Sequence, residues 1–167
     1  MNIPRPLPGE YSESHTDYIA HVPKNIDHNG DIMGFLSTQL DAYLHTLARI
    51  AEAQAAVPWQ EGKWSLKQEL GHLIDGERIL AYRALALSRG KQQPLPGFEQ
   101  DDYVREGNFH QRTLADLTRE FELQRRANLL QFAHLCRSRP RAKALPAVIL
   151  FLSAHCFTSM PDTPSAT

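Results

Sequence analysis

With 167 residues, 42% of them hydrophobic and 22% charged, the chain has the make-up of one soluble globular domain with room for a sizeable core. A formal charge of −1 and a pI near 6.7 argue against a nucleic-acid binder or a membrane-surface protein. Two cysteines, Cys136 and Cys156, are too few for a disulfide scaffold, and the start MNIPRPLPGEYSES has no apolar signal segment, so a cytoplasmic location with free thiols is expected.

Residues 1–30 read as an irregular lead-in, with Pro4, Pro6, Pro8 and Pro23 blocking helix. A bundle is expected over 31–135. Its first helix should start at Asp31, a good N-cap, and end near Ala55, because Ile32, Leu36, Leu40, Tyr43, Leu44, Leu47 and Ile50 recur every three or four residues. Pro58 and Gly62 punctuate the link to the next element.

Ser65 with Gln68 forms a capping-box pattern and opens a second helix. Its apolar stripe is Leu66, Leu70, Leu73, Leu80, Ala84 and Leu87, and Gly90 stands where a C-cap belongs. A proline-rich loop from Lys91 to Gln111 is long enough to cross the bundle. Thr113 and Asp116 cap a third helix running to about His134. Leu114, Leu117, Phe121, Leu129 and Phe132 should face the core, and Arg119, Glu120, Glu122, Arg125 and Arg126 should face water.

From residue 136 to 167 the chain diverges: a basic, proline-broken stretch, a short apolar helix around AKALPAVILFLSAHCF, then a flexible tail. The uninterrupted apolar run after Pro146 is about half of the ~20 residues that a membrane span requires. Three matched amphipathic helices call for a fourth, and here it is short or incomplete. The uncovered Leu and Phe faces predict marginal stability or self-association, as a homodimer.

One histidine stands out. His72 lies one turn after Glu69 and one turn before Asp75, so the three side chains share a helix face and suit a borderline divalent metal. The plain alternative is a satisfied core histidine beside a solvated acidic edge. Gly71 fits either, through close helix packing or room for a ligand. Glu69-Leu-Gly-His72 matches the Glu-x-x-His element of di-iron bundles, but there is no second copy. His15, His21, His28, His45, His110 and His134 show no metal-like pairing, and no Ser-His-Asp, Cys-His or phosphate-cradling glycine arrangement exists. Asp101 and Asp102 read as a solvated face. Trp59, Trp64, Phe98, Tyr103 and Phe109 read as caps on the core.

The segments GKWSLKQELGHLIDGERILAYRAL, RGKQQPLPGFEQDDYV and NFHQRTLADLTREFELQRRANLLQF together resemble the DinB-like (DinB/YfiT) family of four-helix-bundle metalloenzymes, over roughly residues 16 to 135. That resemblance implies an all-α, up-down-down-up bundle with a long crossover. It also implies a divalent metal, zinc or nickel, on three histidines, and a thiol S-transferase or hydrolase using a low-molecular-weight thiol or another small-molecule substrate. His72 matches the family's first metal histidine. The other two normally form a His-x-x-x-His pair late in the fourth helix, where this chain has His155 alone and Ser159 one turn later.

Two readings of that loss stand side by side, a shifted reading frame and a truly divergent tail. Regrouping the codons from Pro146 onward, starting at each third base, permits a fourth-helix-like sequence that includes His-x-x-x-His. A leucine spanning His155 and Cys156 and an alanine spanning Met160 and Pro161 are forced by the code. The second functional reading is a catalytically inactive bundle, binding a partner or left by a disrupted gene.

Overall fold

The computed structural model describes residues 32–90 and 96–138. Helix α1 spans Ile32–Leu47 and a one-turn helix α2 spans Glu52–Ala55. Helix α3 is Leu66–Ser88, α4 is Gln100–Gly107, a 3-10 turn covers Phe109–Gln111, and α5 is Leu114–Ser138. No strand occurs among the described residues, only an isolated bridge between Pro58 and Ser65. No described helix is long and apolar enough to cross a membrane.

The single helix expected as far as Ala55 is in fact two. The turn after Leu47 tightens, with the Arg49 N–H donating to Thr46 O at 3.0 Å and the Ile50 N–H to Leu47 O at 3.2 Å. Ala51 then turns extended, at φ −72° and ψ 146°, and the Gln54 side chain accepts its N–H at 3.1 Å, restarting the helix. Asp31 lies outside the described residues, as do the lead-in before it and the chain after Ser138.

Local signals explain the next helix at both ends. Ser65 Oγ accepts the Gln68 N–H at 3.4 Å while Gln68 Oε1 accepts the Ser65 N–H at 2.9 Å. After Ser88, Gly90 sits at φ +84°, the left-handed position that a residue with a Cβ resists. Thr113 Oγ1 accepts the Asp116 N–H at 3.1 Å and starts α5, which runs four residues beyond the expected His134 to Ser138.

Helices α3 and α5 run parallel. Gln124 Nε2 donates to Ile74 O at 2.7 Å and, seven residues further along both helices, Gln131 Nε2 donates to Ala81 O at 3.1 Å. Helix α1 runs the other way along α5: Leu36 and Gln39 meet Arg125, whereas Tyr43 meets Phe121 edge-on at 5.9 Å. That is the first three-quarters of an up-down-down-up order. Parallel neighbours need a connection that returns the chain along the bundle. The described part of that connection, from Pro96 on, is not a plain loop but carries α4 and the 3-10 turn.

The core joins Leu40, Tyr43 and Leu47 of α1, Leu70, Leu73 and Ile74 of α3, Phe109 of the crossover, and Leu114, Leu117 and Phe121 of α5. Each large apolar side chain buried this way contributes about 1.5–3 kcal/mol. Phe109 is the crossover's anchor. Its ring lies against the backbone of both Gly71 and Gly107, where a Cβ on either glycine would overlap it.

One expectation fails clearly. Arg125 does not face water; it is among the most buried side chains, 1% exposed. Glu77, on the inward stripe of α3 between Leu73 and Leu80, supplies the carboxylate it needs. Of the other residues expected to be solvated, Arg119 and Arg126 are exposed, whereas Glu120 and Glu122 are half-buried.

Candidate functional site

His72 comes from the second turn of α3 and is 3% exposed. Trp64, just before the helix, places its ring 5.0 Å from the imidazole, and Phe98, from the crossover, lies 6.4 Å away on tilted planes. Tyr103 of α4 meets Phe98 edge-on at 5.2 Å. The aromatic residues expected to cap the core therefore divide. Phe109 does so, Trp64 and Phe98 lie beside the histidine with Tyr103 behind Phe98, and Trp59 is 62% exposed.

Burial pushes the His72 imidazole below its ordinary pKa, and the Asp101 carboxylate of α4 only partly opposes this. At neutral pH the ring is therefore uncharged, with a lone pair on one nitrogen, the form that binds a metal. Asp101 and Asp102 are exposed, the solvated face expected of them, and Asp101 acts on His72 through its charge.

The carboxylates flanking His72 differ. Burial pushes Glu69 up to about 7, with Lys63 opposing, so it holds its proton into the neutral range. Asp75 is also raised by burial, but Arg78 stands 3.5 Å from it and pulls the other way. Among the described residues no three His, Cys, Asp or Glu side chains come together to hold a metal ion. Glu69 and Asp75 thus do not complete a ligand set with His72, and the described donors do not fit a whole divalent-metal site. His155 lies outside the described residues. Gly71, next to His72, serves close packing, because Phe109 occupies the space beside it.

An all-helical bundle with α3 and α5 parallel, α1 antiparallel to them and a buried histidine on α3 fits a DinB-like bundle. The chain belongs to the DinB superfamily, whose family model matches residues 36–156. The match continues past Leu135, where the resemblance in the sequence stops, and takes in the apolar run and His155. No curated protein and no solved structure matches the chain.

Proposed function

We propose that this DinB-superfamily bundle is, by descent, a divalent-metal-dependent enzyme of the thiol S-transferase or hydrolase type, with His72 the metal ligand on α3. The carrying observation is the state of that side chain: 3% exposed, kept neutral by burial, and flanked by Trp64 and Phe98. The thiol class rests on family membership alone. A metal held here would supply Lewis acidity that lowers the pKa of a bound thiol or water. Trp64 and Phe98 shield the site from bulk water, which strengthens electrostatic interactions within it. The remaining ligands have to come from outside the described residues.

A second reading is a catalytically inactive bundle. It is favoured by Ser159, which follows His155 by four positions in the sequence, where the family pattern wants a histidine. Metal analysis of the purified chain and of His72→Ala separates the two. Stoichiometric zinc or nickel that disappears in the variant supports the enzyme, while a metal-free parent supports the inactive bundle.

A further inference from the structure

The buried faces of the two parallel helices repeat every seven residues. On α3 the repeats are Leu70, Glu77, Ala84 and Leu73, Leu80, the latter continued by the half-buried Leu87. On α5 they are Leu114, Phe121, Asn128, Leu135 and the pair Arg125, Phe132. Such a pattern does not fix its own alignment. If α5 slid one heptad along α3, apolar layers would again meet apolar layers. The two glutamine bonds share the weakness, because Gln124 with Gln131 and Ile74 with Ala81 are both seven apart. A one-heptad slide exchanges their partners and still keeps one bond.

The polar members break the tie. Glu77, Arg125 and Asn128 interrupt otherwise apolar repeats, and in the observed alignment they lie at one level. The Arg125 guanidinium pairs with Glu77 Oε1, and Asn128 Nδ2 donates to Glu77 Oε2 at 2.9 Å. From α1, Gln39 Oε1 accepts from Arg125 Nη1 at 2.9 Å, with Leu36 O at 3.5 Å from the same nitrogen. Glu77 and Arg125 are each 1% exposed, and Gln39 and Asn128 each 7%. After a one-heptad slide, Arg125 would lie level with Leu70 or Ala84, and Glu77 with Phe132 or Thr118. Both charges would be buried away from each other.

We infer that the buried Glu77–Arg125–Asn128–Gln39 cluster is a register key: it selects one alignment of α1, α3 and α5 out of heptad-related alternatives that the apolar core and the glutamine bonds tolerate. Its role is specificity more than stability. A buried ion pair is often matched in stability by apolar side chains of similar size, whereas a single polar core position can fix alignment.

The test places spin labels at Leu85 and Leu123, two exposed positions on α3 and α5, with Cys136 and Cys156 replaced by serine. Pulsed dipolar spectroscopy then measures the distance between labels in the otherwise unchanged chain and in Glu77→Leu/Arg125→Met. The labelled parent should give one distance. The double variant should remain helical by circular dichroism and gain a second population, shifted by up to about 10 Å, since seven residues at ~1.5 Å rise make one heptad step. A helical double variant with the parent's single distance overturns the inference. So does one that fails to fold, because the cluster would then be needed for stability itself.

Discussion

Glu77 on α3 and Arg125 on α5 form an ion pair in which both side chains are all but removed from solvent, at 2% and 1% exposure. Removing one partner strands the other. Arg125→Ala leaves the buried carboxylate with Asn128 as its partner among the described residues, and it also takes the guanidinium from the Phe121 ring 5.3 Å away. The expected loss is about 3–5 kcal/mol, read from urea unfolding followed by circular dichroism. A loss below about 1 kcal/mol, the range of exposed pairs, contradicts the burial argument.

Glu69 gives the fold a pH dependence of definite sign. Its folded pKa of about 7 lies above the ordinary 4.5, so between those values the folded chain binds the proton more tightly than the unfolded chain. The contribution to stability is therefore full below pH 4.5 and is lost as pH rises through 7. Glu69→Gln mimics the protonated form. It should melt higher than the parent at pH 8 and alongside it at pH 4.5; equal melting at pH 8 would remove the case for a costly buried charge.

Glu52 behaves oppositely. It pairs with Lys67, a lysine whose side chain is 7% exposed, and accepts the Leu114 N–H at 2.8 Å. The Lys67 hydrogen bond first, and the Leu114 N–H next, hold its carboxyl below the usual value. The stability this supplies is present above pH 4.5 and disappears as pH falls through the lowered pKa. Glu52→Gln should thus lower the melting temperature at pH 7, with the gap closing in acid. A gap that is constant with pH points to lost packing instead.

At Gly71 two effects compete. Alanine there improves helix propensity by about 1 kcal/mol, yet its Cβ would overlap the ring of Phe109. That ring has little room to yield, because Gly107 backs it on another side. Overpacking of this kind costs about 1–3 kcal/mol, so Gly71→Ala should destabilise on balance. Adding Phe109→Leu to that variant should restore part of the loss. If the double variant is simply the sum of the two singles in chemical denaturation, the residues are not in contact as described.

The sequence made three element ends legible because those signals are local. Ser65 with Gln68, Gly90, and Thr113 with Asp116 act within four residues of themselves, and all sit where expected. The DinB-like bundle was legible too, through the joint occurrence of several segments. What escaped depends on contacts between distant elements. A glutamate at the 73-77-80 step of an apolar stripe was the available hint of a buried partner, yet Arg125 read as one more charge on a charged helix. The approach of the Phe98 ring and of the Asp101 charge to His72 needed the crossover's path, which no periodicity encodes. Ala51 escaped because the apolar spacing runs on through the point where the backbone breaks.

The ring of Phe109 held between two bare backbones carries a consequence for how this protein can vary. Positions 71, 107 and 109 share one volume, so substitution at one constrains the others. Among homologues, a side chain at the position of Gly71 or Gly107 should be accompanied by a smaller residue at that of Phe109, and a retained phenylalanine by two glycines. The three would drift as a unit, and the place beside His72 would stay glycine for reasons unrelated to chemistry at the histidine.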